Sequence, residues 1–501
     1  MLLLHEASLS RSTLLLRCTI AITILFTQLV ASASTPYEAT FNRRQDAAGA
    51  TTNHTSGRWL SAWTSMPQLT EPANLPPVPF NNSDDGVIFR NATIRQTIRV
   101  TAGTSRVRLR LSNAFGLAPL PITAVAIGKP ASPYGNGTGL AGSPAVDVST
   151  LRTLTFSGSP NFTVPNGALV VSDAVDVDVG GGGLAPGDEL SVSVYLAEGQ
   201  AGGAITSHPG SRTRSWLATG DWTGAADLRG GDDAASVAHW YFISTLDAWV
   251  PSFSSSSSSL LGGGGGTLAI VGDSITDGRG STTDGNDRWP DALLDRLQQQ
   301  QQQGSNSSSS PPLLARIAIA NQAAGGNRVL ADGLGPNALG RFDRDVLAQP
   351  GVAYALLFEG VNDIGSAADE AGAQRAVGDA LIAAYKQFAL RARAAGLPLF
   401  GATITPFNAP GFDAAAQPYS GRERERTRQR VNEFVRNSGG VFDVVVDFDA
   451  AVRDADDETM LRAEYDSGDY LHLNPAGYRA MADAFPVDAL VQFAGGVDGY
   501  A

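Results

Sequence analysis

The sequence predicts a two-part α/β protein, in which a doubly wound parallel-sheet domain follows a smaller all-β sandwich or jelly roll. Three observations carry that expectation. Up to about residue 251, hydrophobic residues recur with period two, the pattern of half-buried strands. Beyond residue 266, apolar runs alternate with long helical segments, as parallel sheets require. Between them, Ser254–Ser259 and Gly262–Gly266 form a Ser/Gly run with only Leu260 and Leu261 inside it, which has the composition of a flexible connector.

The 501 residues are enough for more than one domain, and a hydrophobic fraction of 43% allows each a sizeable core. The net charge of -13 offers no basic surface for nucleic acid. Residues 1–33 read as a signal peptide: Arg11 and Arg17 precede an apolar stretch from Thr19 to Val30, then Ala31-Ser32-Ala33 gives a small-x-small cleavage pattern. About a dozen apolar residues are too few to span a bilayer comfortably, and no later segment suits a membrane, so the expectation is a secreted, extracellular protein with no stable membrane association. Cleavage would remove Cys18, the only cysteine, leaving burial rather than disulfides to hold the fold. Residues 34–56 read as a disordered stretch or propeptide. Arg43-Arg44 within it reads equally as a dibasic processing site or a solvated charge pair. Asn53, Asn81, Asn91, Asn136, Asn161 and Asn306 each open an Asn-x-Ser/Thr sequon, which suits N-glycosylation of surface loops.

Residues 57–251 form the expected β domain. In Thr93–Val100, Ile94, Ile98 and Val100 share one face while Arg95, Thr97 and Arg99 share the other. Val107, Leu109 and Leu111 alternate with Arg106, Arg108 and Arg110, and Leu190, Val192, Val194 and Leu196 with Ser191, Ser193 and Tyr195. Trp59, Trp63, Trp216 and Trp222 read as core or interface residues rather than a sugar-binding platform. After the linker, 252–266, the α/β domain occupies residues 267–495. Its strands are expected at Thr267–Val271, Arg316–Ala320, Ala353–Phe358, Pro398–Ile404 and Val441–Val446. Helices are expected at Trp289–Gln300, Glu370–Ala395, Gly421–Asn437 and Pro475–Phe493, with Gln298–Gln303 and Gly304–Ser310 as a surface loop. Arg422-Glu423-Arg424-Glu425-Arg426 reads as a solvated helix face.

Ligands of such sheets bind at the carboxyl ends of the strands. There the first strand ends in Gly272-Asp273-Ser274-Ile275-Thr276-Asp277-Gly278, which offers a serine at a turn. A serine hydroxyl needs a base that titrates near neutrality. Of the histidines beyond the leader, His54 lies in the polar N-terminal stretch, His208 and His239 lie in the β domain, and only His472 lies in the α/β domain. Asp469 stands three residues before it, just ahead of the helix start at Asn474-Pro475, able to orient the imidazole. Acyl transfer also needs donors for an oxyanion. The Ser274 N–H is one. Asn321-Gln322-Ala323-Ala324-Gly325-Gly326-Asn327-Arg328 and Gly360-Val361-Asn362-Asp363 follow the second and third strands, and offer a Gly326 N–H and an Asn362 amide at the same rim.

These ordered blocks resemble the SGNH/GDSL hydrolase superfamily over about residues 267–495. The resemblance implies a flavodoxin-like three-layer fold. It also implies a catalytic Ser274, Asp469 and His472, an oxyanion hole from Ser274, Gly326 and Asn362, and neither cofactor nor metal. Gly326 rather than Gly325 is matched because the family glycine directly precedes the position held here by Asn327. Arg108-Leu109-Arg110-Leu111-Ser112-Asn113-Ala114-Phe115-Gly116 and Ser207-His208-Pro209-Gly210-Ser211 resemble the β domain ahead of the hydrolase domain in some secreted GDSL-like lipase/acylhydrolase proteins. The expected partner is therefore an ester substrate, with short acyl groups such as acetyl on a polysaccharide favoured. A lipase acting on longer-chain lipid esters, and a glycan-binding protein with a degenerate hydrolase domain, are the alternatives.

Overall fold

Period-two alternation in the N-terminal half resolves into two antiparallel sheets. The computed structural model describes residues 56–82, 86–134, 139–177, 182–251, 265–304 and 313–498. The leader, Arg43-Arg44, most of the Ser/Gly connector, and Asn53, Asn136 and Asn306 lie outside them. The main strands here are β1 (Gly57–Thr64), β2 (Ala92–Arg99), β3 (Arg106–Ser112), β4 (Ala124–Gly128), β5 (Glu189–Leu196), β6 (Ser215–Thr219) and β7 (Ile243–Pro251). One sheet runs β1-β7-β3 and continues into Leu169–Val171; the other contains β6-β2-β5-β4. Val107, Leu109, Leu111, Leu246 and Ala248 of the first share one core with Ile94, Ile98, Leu190, Val192 and Leu217 of the second, which makes a sandwich.

The faces that alternation assigns to polar residues are covered rather than solvated. Arg95 and Thr97 are 0% exposed. Arg95 donates to Ser193 Oγ and to the carbonyls of Pro144, Trp222 and Ala225, while Thr97 Oγ1 accepts from the Gly142 N–H. Arg99 pairs with Asp291 and Asp295 of the α/β domain. Arg108 and Arg110 both pair with the buried Asp247 on β7. Loops and the neighbouring domain cover these faces, and strand periodicity cannot reveal that. Trp63 and Trp216 are buried, and Trp59 packs edge-on against Trp249 with Arg108 over its ring. Asn91 and Asn161 are exposed and Asn81 is half-buried.

The C-terminal half forms β8 (Gly266–Gly272), α1 (Ser274–Asp277), α2 (Trp289–Gly304), β9 (Ile317–Ala323), α3 (Ala338–Phe342), β10 (Val352–Phe358), α4 (Val361–Ser366), α5 (Ala371–Ala394), β11 (Leu399–Ala402), α6 (Arg422–Arg436), β12 (Val444–Val446), α7 (Phe448–Val452), α8 (Pro475–Ala484) and α9 (Val487–Gln492). The strands pair parallel in the order β9-β8-β10-β11-β12. β8 is central, and the chain first crosses to β9 and then to β10 on its other side, so the topological switch point lies at the end of β8. Helices cover the sheet, α2 packing with α8 and α5 with α6.

Several elements differ from the sequence expectation. Pro475–Phe493 is two helices, because Pro486 cannot donate a helical hydrogen bond and the chain at Phe485 is extended. Gln298–Gln303 belongs to α2 rather than to a loop, as the good helix propensity of glutamine allows. α1, α3, α4 and α7 span only four to six residues each, too few for a period of 3.6 to register. The charged run on α6 is not wholly solvated: Glu425 and Arg428 turn inward, and Arg428 pairs with both Glu425 and Asp449. Among the described residues no helix is long and apolar enough to cross a membrane.

Thr55–Ala501 forms one compact unit, and the sandwich packs along β9, the edge strand of the parallel sheet. The Ile319 N–H donates to Thr101 Oγ1 at 3.0 Å, Thr101 Oγ1 donates to the Ile319 carbonyl at 3.1 Å, and Thr64 Oγ1 donates to the Asn321 carbonyl at 2.9 Å. Side chains thus satisfy an edge that would otherwise invite another strand.

The covered face of β2 yields a stability prediction. Truncating Arg95 leaves three carbonyls without that donor, at roughly 1–3 kcal/mol each. Arg95→Ala should lower the unfolding free energy by at least about 3 kcal/mol, read as a drop in urea midpoint. A drop below about 1 kcal/mol would mean that water replaces the guanidinium at little cost.

Candidate active site

β8 ends at Gly272, and Asp273 caps the short helix that follows by accepting from the Ile275 N–H at 2.9 Å. The cap fixes Ser274 at the first helical position, at the sheet's switch point. At a helix start the first N–H groups have no intrahelical acceptor, and the Ser274 N–H has no acceptor among the described residues. Ser274 is 7% exposed.

The loop before α8 brings His472 to it. Ser274 Oγ lies 2.8 Å from His472 Nε2, and His472 Nδ1 lies 2.7 Å from Asp469 Oδ2. The other oxygen of Asp469 accepts the N–H of His472 at 2.8 Å and that of Leu471 at 3.1 Å. One carboxylate therefore fixes both the ring and the backbone that carries it. Burial alone would raise Asp469, but hydrogen bonds and charge from His472 outweigh it and hold this carboxyl well below the usual carboxylate range. The loop is held in turn by Asp466 Oδ1, which accepts from the N–H groups of Gly468, Asp469 and Tyr470. Asn474 caps α8 just beyond.

β9 and β10 deliver the remaining donors. Gly326 sits at φ +70°, in the left-handed region, and a Cβ there would lie 2.6 Å from Leu334 Cδ1, so the turn needs glycine. Its N–H has no acceptor among the described residues, whereas the Gly325 N–H is taken by Asp277 Oδ2 at 3.1 Å. Asn362 lies in the first turn of α4 rather than in an irregular loop. Its Oδ1 accepts from Tyr419 Oη at 3.0 Å and its Nδ2 donates to the Asn327 carbonyl at 2.9 Å. The second N–H of the Asn362 amide has no acceptor among the described residues. Asp363 accepts from the N–H groups of Val329 and Leu330 at 2.8 and 3.0 Å, which ties α4 to the turn carrying Gly326.

Ser274, Gly326, Asn362, Asp469 and His472 thus meet in one cleft of about 650 Å³. Sequence reading did not find several other residues here. Tyr419 orients Asn362, and Gln417 donates to the Asp469 carbonyl at 2.7 Å; both lie on a stretch without periodicity. The sandwich supplies Gln68, Glu71, Asn74, Pro209, Gly210, Arg212 and His239 to the same cleft. Placement of His239 in the β domain had set it apart from the chemistry, yet the fold returns it to the cleft. No local feature of the sequence marks this.

Behind the serine lies a buried cluster of acids. Burial, and then the charges of Asp363 and Asp277, push Asp273 up to about 7. Burial, and then the charge of Asp273, raise Glu359 well above its ordinary range. Arg341 is the fully buried cation among them, pairing with Asp345 and Glu359.

The parallel sheet with helices packed on it fits the fold of an SGNH hydrolase domain. Residues 268–485 match the family model described as GDSL-like Lipase/Acylhydrolase, and they form a GDSL-like lipase/acylhydrolase domain. The chain is similar in structure to a GDSL-like lipase from Bacteroides thetaiotaomicron, at 14% identity and TM-score 0.30, over 46% of this chain and 88% of that one. It is also similar to a variant of an acetyl xylan esterase from Geobacillus stearothermophilus, at 17% identity and TM-score 0.31, over 46% of this chain and 96% of that one. A third similarity is to an α/β hydrolase enzyme from the metagenome of Lake Arreo, at 19% identity and TM-score 0.30, over 44% and 93%. No curated protein sequence matches the chain.

The buried acids generate a pH prediction. Asp273 sits near 4 in an unfolded chain and at about 7 in the fold, so the native state holds more protons in between. Its contribution to stability is then fully present below about pH 4 and is lost as pH rises through about 7. Melting temperature should fall across that window. Asp273→Asn, which keeps the capping oxygen, should flatten the fall. An unchanged slope in the variant would count against this assignment.

Proposed function

We propose that this chain is a serine esterase working through an acyl-enzyme on Ser274. The observation that carries the reading is the relay of 2.8 and 2.7 Å from Ser274 through His472 to Asp469, beside two N–H groups that have no acceptor among the described residues and an amide that spends one N–H on Asn327 and keeps the other. His472 takes the Ser274 proton as Oγ attacks the ester carbonyl, and Asp469 stabilises the imidazolium that forms. Negative charge developing on the carbonyl oxygen is held by the N–H groups of Ser274 and Gly326 and by Asn362 Nδ2. His472 then gives the proton to the leaving alcohol. Water, deprotonated by His472 in its turn, cleaves the acyl-enzyme and returns Ser274 to its starting state.

The preferred substrates are short acyl groups, such as acetyl, esterified to carbohydrate. Gln68, Glu71, Asn74, Arg212 and His239 bring polar groups to the cleft, and its apolar lining is divided among short side chains such as Leu334, Leu471, Pro209 and Pro418 and the ring of Tyr419. A long acyl chain would need a continuous apolar trough to repay its burial, while a sugar's hydroxyls need hydrogen-bonding partners. The leader-like segment at 1–33 and the six sequons support secretion and glycosylation, with Asn91 and Asn161 as the exposed described candidates.

Ser274→Ala should reduce hydrolysis of p-nitrophenyl acetate at least about 10³-fold with no change in melting temperature. Asn362→Ala should cost about 10²–10³ in kcat, as removal of an oxyanion donor does. Comparable activity in Ser274→Ala would overturn the assignment. Acetyl esters should be cleaved faster than butyryl and longer ones, and acetylated xylan or pectin should be deacetylated. Preference for long chains would favour the lipase reading, and a folded protein that never labels with a fluorophosphonate probe would favour glycan binding.

A further inference from the structure

A second histidine–carboxylate pair lies one helical turn from Ser274, and its two halves come from different domains. His208 ends the short strand Thr206–His208 of the sandwich and is 3% exposed. Its Nε2 lies 2.9 Å from Asp277 Oδ1 and its Nδ1 lies 3.0 Å from the Met66 carbonyl. Asp277 is the last residue of the helix that begins at Ser274, and it is 1% exposed. Its other oxygen accepts the Gly325 N–H at 3.1 Å.

The hydrogen-bond inventory constrains this pair. A carbonyl oxygen can only accept, so Nδ1 donates to Met66, and the other ring nitrogen meets the buried Asp277 carboxyl. Removing one partner of such a pair leaves the other uncompensated in the interior. The approach is close-fitting: at Gly210, two residues after His208, a Cβ would lie 1.7 Å from Asp277 Oδ2. His208 also stacks on Trp240, with centroids 5.8 Å apart, which restricts the ring to one orientation.

We propose that His208 is a positioning residue for the oxyanion site: through Asp277 it fixes the Gly325 N–H, so that the next N–H in the chain, that of Gly326, is held facing Ser274. The sandwich domain then completes the active site from outside the hydrolase fold. This rests on the esterase reading above. Misplacing a donor costs less than deleting one, so the expected loss lies below the 10²–10³ of an outright deletion.

The test uses the full chain with p-nitrophenyl acetate, with active sites counted by a fluorophosphonate probe carried to completion. In His208→Ala, kcat per titrated site should fall about 10- to 100-fold with KM changed less than about threefold, and added imidazole should restore part of it. Gly210→Ala, which retains the His208 side chain but puts a Cβ 1.7 Å from Asp277 Oδ2 and so breaks the fit between the pair, should show the same split and carries the test if His208→Ala does not fold. A merely structural role would lower the melting temperature and the number of titratable sites. If kcat per titrated site in a folded variant stays within twofold of the parent, the proposal is overturned while the esterase reading stands. A parent chain that neither cleaves the ester nor takes the probe would overturn both.

Discussion

Arg341 is the interaction on which the site's geometry depends. Its side chain is fully buried, and its guanidinium donates to the carbonyls of Gly272 and Gln322 and to Asn327 Oδ1 while pairing with Asp345 and Glu359. Those atoms belong to the ends of β8 and β9, to the turn carrying Gly326, and to the residue just after β10. One planar fork of donors therefore ties together the three strand ends that deliver Ser274, Gly326 and Asn362. Arginine suits this place because it stays charged and its N–H groups point in fixed directions. A buried guanidinium is costly unless every donor is used, and here the strand ends use them. The same cation draws Asp273 and Glu359 down, but burial first, and then the charge of neighbouring acids, outweigh it and push both carboxyls up.

The two domains are joined by complementary needs. A parallel sheet whose edge strand is β9 has unpaired N–H and C=O groups, and the sandwich answers them with the hydroxyls of Thr64 and Thr101. The sandwich in turn has charged residues such as Arg99 on a face that its own core cannot cover, and Asp291 and Asp295 on α2 answer those. Burial at this junction brings Gln68, Glu71 and His239 to the rim of the cleft. The β domain is therefore one wall of the cleft that holds Ser274 and His472, which the Ser/Gly composition of the connector does not reveal.

Much of the fold was legible because it rests on local periodicity. The five strands of the parallel sheet and the long helices α2, α5 and α6 lie where apolar runs and amphipathic patterns put them. Helices of four to six residues were not legible, because so few positions cannot display a period. The break between α8 and α9 was written in Pro486 but masked by apolar residues on both sides of it. Arg95 and Thr97 read as one polar face of a strand, and only the packing of distant loops shows them to be interior. Arg341 sits among other charges in Gly340-Arg341-Phe342-Asp343-Arg344, and nothing local marks it as the buried one.

The sequence by itself determined which chemical groups stand at the ends of the first three strands of the sheet, and that an aspartate lies three residues before a histidine ahead of the last helices. Strand–turn chemistry is short-range, so a Gly-Asp-Ser turn or an Asn-Pro helix start can be read from neighbouring residues. Only the tertiary structure decided which distant groups meet them: that His472 reaches Ser274 across 198 positions, that Tyr419 fixes the amide of Asn362, and that His208 of the sandwich reaches Asp277. These contacts depend on loop paths and on the packing of whole sheets. That packing sums over edges and buried charges far apart in the chain, and no window of sequence contains that sum.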